Sequence, residues 1–168
     1  MNNNVLHKLN YGLYIVCSNR NNEINGCIAN TVFQISAQPA TIAVSINKQN
    51  YTNEFISESG TFAVSILSEE ADLPFIANFG FRCGKTHPKF EKTEYSITND
   101  GNPVIKKNTV GFIEAKVIES VDIHTHTLFI GEIIDGDTWG ELNPMTYSYY
   151  HNVVKGKTPE KAATFIKN

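Results

Sequence analysis

Two polar runs in the sequence hold side chains that could bind a cofactor. The first, residues 25–36, mixes amides and hydroxyls with apolar side chains, and Pro39 follows it. This mixture suits a planar heterocycle such as a flavin ring, because the ring faces pack on apolar groups while the edge takes a few hydrogen bonds. The same composition is typical of a turn followed by an ordinary strand, so both interpretations stay open.

The second polar run, residues 45–52, lies where a predicted strand ends and a predicted helix begins. Free backbone N–H groups and the positive end of a helix attract an anion such as a phosphate. Lys48 could neutralise this anion, and Ser45, Asn47 and Thr52 could donate hydrogen bonds to it. A capped helix start beside a solvated lysine would leave the same pattern.

His126 begins an apolar stretch with the sequence His-Thr-Leu-Phe-Ile-Gly. At the mouth of a barrel its imidazole could donate a proton or a hydrogen bond, whereas a histidine at a strand end in solvent would have no such role. His124 shares a strand face with it, since side chains alternate along a strand, and two histidines could contribute to a metal site. No third ligand stands at a telling spacing, so we expect no metal.

The cysteines Cys17, Cys27 and Cys83 are odd in number and lack C-x-x-C spacing. This usage predicts reduced thiols in the cytoplasm rather than a disulfide framework or a zinc or iron site. Arg82 and Lys85 flank Cys83 and could lower the pKa of its thiol. Because no partner histidine can be assigned to Cys83, a nucleophilic role is the less favoured interpretation.

The elements that must position these residues are mostly strands. Apolar residues alternate with polar or small ones in TIAVSI (residues 41–46) and TFAVSI (residues 61–66), and further strands are predicted at residues 12–18, 110–121 and 126–135. Short helices are predicted at residues 50–59, ending before Gly60, and after Ser68 as far as about Phe79. We therefore expect a mainly β fold, a mostly antiparallel barrel interrupted by short helices, and not a doubly wound parallel sheet.

Composition narrows the class of protein further. A chain of 168 residues with 41% hydrophobic residues predicts one globular domain, spanning residues 1–168. The net charge is −3 and the sequence has no basic block, so we expect no nucleic-acid binding. The longest uncharged stretch, residues 24–47, contains amides and hydroxyls, and the first residues lack a signal-peptide pattern, so no membrane segment is expected.

An ordered series of motifs resembles the flavin reductase-like family, whose fold is the FMN-binding split barrel of Greek-key type. The series covers nearly the whole chain and comprises Asn25-Gly26, Ala29-Asn30-Thr31, Gln34-Ile35-Ser36, Pro39, VSINK at residues 44–48, Tyr51-Thr52, GTFAV at residues 60–64, GFRCG at residues 80–84, Lys89-Phe90, and residues 122–132, 145–150 and 155–159. It is most similar to the flavoredoxin, archaeal ferric reductase and high-molecular-weight rubredoxin branches. The resemblance implies a homodimer that binds FMN non-covalently near the subunit interface and oxidises NADH or NADPH.

The resemblance also implies roles for particular positions. The edge of the isoalloxazine ring is expected at Asn30, Thr31, Val32, Phe33 and Gln34. The ribityl phosphate is expected at Ser45, Ile46, Asn47, Lys48 and Thr52. The far side of the pocket is expected at Lys89 and Phe90, and the nicotinamide side of the ring at His126. Ser45 stands where some close relatives have a cysteine beside the flavin, so no thiol role is carried over there.

The function expected from this reasoning is that of an FMN-dependent NAD(P)H oxidoreductase. The two C-x-x-C pairs of a rubredoxin part are absent from the sequence, so electrons must pass to an external acceptor such as free flavin, ferric iron or a partner protein such as rubredoxin. An FMN-binding electron carrier without its own nicotinamide site, or a split barrel that has lost flavin, would fit the same residues. A homodimer is also expected from the strand at residues 126–135, which is apolar on both faces, and from Tyr147, Tyr149 and Tyr150.

Overall fold

The computed structural model describes residues 2–166, which form short helices around an antiparallel sheet. A 3-10 helix spans Asn3–Lys8. The strands and helices that follow are β1 (Tyr14–Arg20), β2 (Glu23–Ala29), β3 (Val32–Ala37), β4 (Ala40–Asn47), α1 (Tyr51–Ser59), β5 (Thr61–Leu67), α2 (Leu73–Gly80), β6 (Ser96–Ile97), β7 (Pro103–Val104), β8 (Thr109–Ile123), β9 (His126–Thr138) and α3 (Tyr147–Asn152). The prediction of a mainly β protein with short helices is confirmed.

The main sheet has seven antiparallel strands in the order β2-β1-β5-β8-β9-β4-β3, and β6 pairs with β7 in a separate hairpin. Its two edge strands, β2 and β3, follow each other in the chain but do not pair, so the sheet is curved without being closed. The long β8–β9 hairpin places the first residue of β9, His126, beside the end of β4, where His126 pairs with Asn47.

The interior of the sheet is filled by the alternating apolar residues that the sequence predicts. On β4 the side chains of Ile42, Val44 and Ile46 are buried, and they join Phe62 of β5 and Phe129 of β9 in one cluster. Each such side chain stabilises the fold by roughly 1.5–3 kcal/mol through removal of apolar area from water. Both predicted strands with nearly identical sequence therefore have one face in the same core.

Gly131 of β9 is needed for this packing. A Cβ at this position would lie 2.9 Å from both Ala115 Cβ and Phe62 Cε1. The absence of a side chain lets the Phe62 ring approach β9 closely, so this contact in the core depends on glycine at one strand position.

A second cluster covers the opposite face of β1 and fixes the helices around the sheet. Ile15 and Cys17 of β1 pack with Ile76 and Phe79 of α2 and with Tyr150 of α3. Because β1 is buried on both faces, α2 and α3 are held against the sheet. These two helices then place the loop after α2 and the chain after α3.

The helix predictions differ in accuracy. Asn50 is the N-cap of α1, where its side chain accepts a hydrogen bond from Thr52 N at 3.1 Å, and Gly60 ends the helix at φ 70°. The second helix starts later than predicted, because Asp72 caps it by accepting from Phe75 N at 2.9 Å. Ser68 instead continues the strand pairing through a bridge to Pro144.

The outer surface of the sheet is partly apolar, as the two-faced strand predicts. Phe129 of β9 is buried, whereas Leu128 and Ile130 on its other face are half-buried. The exposed apolar side chains of β3, β8 and β9 are Phe33, Ile35, Ile118, Ile123 and Ile134. Within the described residues, no helix is both long and apolar enough to cross a bilayer.

Candidate functional site

A cavity of about 260 Å³ lies between the ends of β2 and β4, the start of α1, the end of α2 and the C-terminal segment. Its walls are apolar on one side and polar at one edge, with a buried cation. The lining residues fall into those of the sheet and α1 (Leu13, Cys27, Ile28, Ala29, Asn30, Ser45, Ile46, Asn47, Gln49, Asn50, Tyr51), those of α2 and its loop (Phe79, Gly80, Phe81, Arg82, Cys83, Gly84, Lys89), and those of the C-terminal part (Tyr147, Tyr150, Pro159, Glu160, Lys161, Ala162, Ala163).

The polar edge of the cavity is built by the ends of two strands. Asn30 follows β2 and is buried, while Ser45 and Asn47 lie near the end of β4. The backbone joins these segments, since Ser45 N donates to Thr31 O at 3.1 Å. Ile28 and Phe79 add apolar wall beside these amide and hydroxyl groups, so the cavity combines an apolar wall with a hydrogen-bonding edge, which fits a planar heterocycle.

Lys89 is a buried cation in the cavity wall. Only 5% of the residue is exposed, and its Nζ donates to Gly26 O at 2.8 Å and to Phe79 O at 3.1 Å. Burial lowers the pKa of this ammonium group. An ammonium carries three N–H donors, so one remains for a ligand in the cavity. Phe90 packs edge-on against Phe79, with ring centroids 5.4 Å apart, and supports this wall from behind.

The structure brings together only part of the predicted site. Of the residues expected to bind the cofactor, the lining of the cavity includes Asn30, Ser45, Ile46, Asn47 and Lys89. Within the described chain, the lining does not include Thr31, Val32, Phe33, Gln34, Lys48, Thr52, Phe90 or His126. Residues 32–34 belong to the edge strand β3, where the Phe33 side chain is half exposed.

Two residues expected at the phosphate have other contacts. Lys48 Nζ lies 3.3 Å from Asp122 Oδ1 in a partly exposed ion pair. Thr52 is fully buried, and its Oγ1 accepts from Asn25 Nδ2 at 3.2 Å. The start of α1 borders the cavity through the neighbouring residues 49–51 instead, with Arg82 also in the lining.

His126 lies beside the cavity rather than in its lining. Its Nδ1 is 2.9 Å from Thr125 Oγ1, and its Nε2 is buried without hydrogen-bond geometry to any group of the described residues. Burial lowers the pKa of the imidazole, and the backbone of Lys161 partly offsets that shift. His126 is therefore neutral at neutral pH. Among the described residues, no cluster of three or more His, Cys, Asp or Glu side chains could hold a metal ion.

Two segments of the cavity wall escape the sequence reasoning. The first is the loop at residues 80–84, which approaches β2 so closely that a Cβ on Gly84 would lie 2.2 Å from Asn25 Oδ1. The second is the C-terminal segment, residues 159–163. Both have irregular backbones, so no periodicity marks them; residues 80–84 and Pro159 belong to the motifs of the family resemblance, whereas residues 160–163 do not.

An open, strongly curved antiparallel sheet whose cavity has apolar walls and a hydrogen-bonding edge defines the class of split-barrel flavin-binding proteins. Residues 6–157 match the family model described as a flavin reductase like domain. The chain belongs to the flavin reductase-like family, as the motifs predict.

Two relatives align over nearly the whole chain. A high molecular weight rubredoxin of Moorella thermoacetica is 44% identical over 165 residues, which cover 98% of this chain and 72% of that protein. A ferric-chelate reductase (NAD(P)H) of Archaeoglobus fulgidus is 43% identical over 162 residues, which cover 96% of both chains.

Solved structures share the fold. Flavin reductase PheA2 in its native state is 29% identical, with a TM-score of 0.71 over 85% of this chain and 88% of that chain. Flavin reductase HpaC in complex with NADP+ is 23% identical, with a TM-score of 0.74 over 86% of this chain and 89% of that chain. The split-barrel expectation is thereby confirmed.

The cysteines of the chain are free, and two of them are buried beside the cavity. Cys17 belongs to the second core cluster, whereas Cys27 lines the cavity. Burial raises the pKa of both thiols, which outweighs the opposing charge of Lys89. Both groups are thus neutral in the folded protein and do not act as nucleophiles near neutral pH.

These buried thiols make the protein less stable in alkali. Above about pH 8.5 the unfolded chain ionises thiols that the folded chain keeps protonated. Stability is therefore complete below that pH and falls as the pH rises further, by about 1.4 kcal/mol per pH unit for each thiol. Cys17→Ala should show a shallower loss of unfolding free energy between pH 9 and 11 in urea titrations. Cys83→Ala, at an exposed position, is the matched control; equal slopes for all three proteins would contradict this account.

Proposed function

We propose that this chain is an FMN-dependent oxidoreductase that takes electrons from NADH or NADPH and passes them to an external acceptor. The observation that carries the proposal is the cavity, in which the polar edge of Asn30, Ser45 and Asn47 faces apolar walls and the buried Lys89. When bound, FMN accepts a hydride from the nicotinamide and passes two electrons on. The ferric-chelate reductase relative supports an activity of this class.

The residues of the polar edge hold the isoalloxazine ring in this proposal. Asn30, Ser45 and Asn47 supply amide and hydroxyl groups, the side chain of Ile46 between them stays in the core, and Lys89 offers its third N–H. A cation beside a flavin favours the negative charge that the ring gains on reduction. Thr31, Val32, Phe33 and Gln34 stay a prediction, acting from the rim through the edge strand β3.

We place the ribityl phosphate at the start of α1. The N-terminal end of this nine-residue helix lies at residues 49–51 of the cavity wall, and the positive end of its dipole favours an anion there. Lys48 adjoins this position and can exchange its partly exposed pairing with Asp122 for the phosphate. Thr52 lies beneath the site, where it supports Asn25 rather than the cavity surface.

The functional unit is a homodimer in this proposal. The exposed apolar side chains of β3, β8 and β9 supply an apolar surface next to the cavity, since β3 is the edge strand beside β4. The expected contribution of Tyr147, Tyr149 and Tyr150 to this surface is wrong, because all three pack into or against the second cluster of their own chain. Sedimentation at micromolar concentration tests the dimer. The free cysteines agree with a cytoplasmic location.

Anaerobic reduction tests the proposed activity directly. The flavin of the purified protein is identified by chromatography, which separates FMN from FAD, and the protein is then mixed with NADH or NADPH under nitrogen. The absorbance of the oxidised flavin should disappear on the timescale of turnover with at least one nucleotide. A carrier without a nicotinamide site would be bleached by dithionite and barely by either nucleotide, and a colourless protein would point to a barrel that has lost flavin.

Variants of two cations locate the phosphate. Lys48→Ala should weaken FMN binding by roughly 1.5–3 kcal/mol, about ten- to a hundredfold, because a charged hydrogen bond to the phosphate is lost. The dissociation constant is measured by quenching of FMN fluorescence, with Lys107→Ala at an exposed position as the control. If Arg82→Ala has this effect and Lys48→Ala has none, Lys48 is not the phosphate ligand and the phosphate lies against Arg82.

His126 should support hydride transfer more than cofactor binding. It is neutral, half-buried and adjacent to the polar edge through its pairing with Asn47, so it can position the nicotinamide or the flavin edge. His126→Ala should keep its flavin but be reduced by NAD(P)H about ten- to a hundredfold more slowly, a loss of roughly 1.4–2.7 kcal/mol. Stopped-flow absorbance measures this rate, and dithionite reduction should be unchanged. Normal reduction by NAD(P)H would assign the histidine a purely structural place.

A further inference from the structure

The C-terminal strap, which we define as residues 158–166, crosses the cavity as an irregular segment after α3. Five consecutive residues of the strap, residues 159–163, line the cavity wall. The strap therefore closes a side of the cavity that the sheet, α1 and α2 leave open.

Hydrogen bonds hold the strap at both ends and near its centre. At its start, Thr158 Oγ1 lies 2.5 Å from the hydroxyl of Tyr147. Near its end, Thr164 Oγ1 accepts from Asn30 Nδ2 at 2.7 Å, which ties the strap directly to the polar edge. Between them, Lys161 Nζ lies 3.4 Å from the Gln49 carbonyl, beside the start of α1.

The chain just before the strap is fixed much more firmly. Gly156 is buried, and a Cβ there would lie 1.9 Å from the Tyr150 ring. The Tyr150 hydroxyl donates to Lys157 O at 3.0 Å, and His151 Nδ1 lies 2.9 Å from Gly156 O. A fixed base at residues 156–157 gives the strap a defined point from which it can swing.

The strap itself is only partly buried. None of residues 158–166 is fully buried, and Phe165 is 37% exposed, so partial packing and the side-chain hydrogen bonds described above together hold the strap closed. Segments with few buried contacts open locally at low free-energy cost. Opening of the strap without unfolding of the sheet is the expected motion.

The position of the strap connects this motion to the cofactor. Residues 159–163 form one wall of the cavity of about 260 Å³, so a flavin bound there lies against the strap. Movement of the strap away from the cavity removes that wall and the contacts that it makes with the ligand. The free energy that closes the strap then adds to the barrier for flavin release.

We propose that the strap retains the flavin through turnover, so that the external acceptor is reduced by flavin still bound to the chain and not by released flavin. This inference rests on the proposed function. In each cycle NAD(P)H gives a hydride and solvent gives a proton to the flavin. Two one-electron acceptors such as ferric chelates then take the two electrons, and two protons return to solvent.

The test compares flavin release from three variants with that from the intact protein. The variants are a deletion of residues 158–168, Thr164→Val, and Thr138→Val as a control on exposed β9 outside the cavity. Each holoprotein is diluted, and the fluorescence of released FMN gives the dissociation rate. The deletion should release FMN at least about tenfold faster and Thr164→Val at least about fivefold faster, because the variant loses the hydrogen bonds of Thr164 Oγ1 with Asn30 Nδ2 at 2.7 Å and with the Tyr147 hydroxyl at 3.4 Å. Thr138→Val should match the intact protein.

The outcomes separate this inference from the proposed function. If the intact protein binds FMN and is reduced by NAD(P)H, yet Thr164→Val and a folded deletion variant release FMN at its rate, the retaining role of the strap is overturned and the activity stands. If the deletion variant fails to fold, as judged by circular dichroism, Thr164→Val alone decides. If the intact protein binds no flavin, both proposals fail. Ferric-chelate reduction that rises steeply on addition of free FMN also overturns retention.

Discussion

The alternation of side chains along β4 is the constraint on which the rest of the site depends. Ile42, Val44 and Ile46 are buried in the main cluster, so Ser45 and Asn47 must lie on the opposite face of the strand. A slip of one residue against β9 would exchange the two sets and place polar groups in the core. The pairing of Val44 with Phe129 opposes that slip, and the same register that builds the core aims the polar edge at the cavity.

Lys89 carries a charged group that the fold shields from solvent. Its ammonium group is held by two backbone carbonyls, a geometry that needs both β2 and the end of α2. A cation kept in this position costs desolvation energy, which the carbonyl dipoles offset only in part, since burial still lowers its pKa. The packing of the second core cluster, which fixes α2 against the sheet, offsets the rest of this desolvation cost. Core packing and the charge of the cavity wall are thus coupled.

The sequence allows β1, β4, β5, β8, β9, α1 and the polar edge to be predicted because their signals are local, whereas β2 and β3 lie mostly within the polar run at residues 25–36 and are not among the predicted strands. Asn30, Ser45 and Asn47 stand at strand ends, where period-two patterns stop, and they do line the cavity. Local patterns do not predict the direction of the Lys48 side chain, because its partner Asp122 lies in the β8–β9 hairpin, far away in the sequence. The C-terminal strap was equally out of reach, because side-chain hydrogen bonds such as that of Thr164 position it without any repeating pattern.

The unpaired edge of the sheet affects how readily the newly synthesised chain aggregates. β3 is an edge strand with an unpaired side, and Phe33 and Ile35 stand exposed on it. Unprotected edges of this kind template intermolecular pairing and aggregation. The irregular register between Gln34 and Ser36 bends β3 and interrupts the row of backbone groups that a foreign strand would need. This irregularity in β3 therefore opposes aggregation while the exposed apolar side chains of β3, β8 and β9 are not covered by a partner subunit.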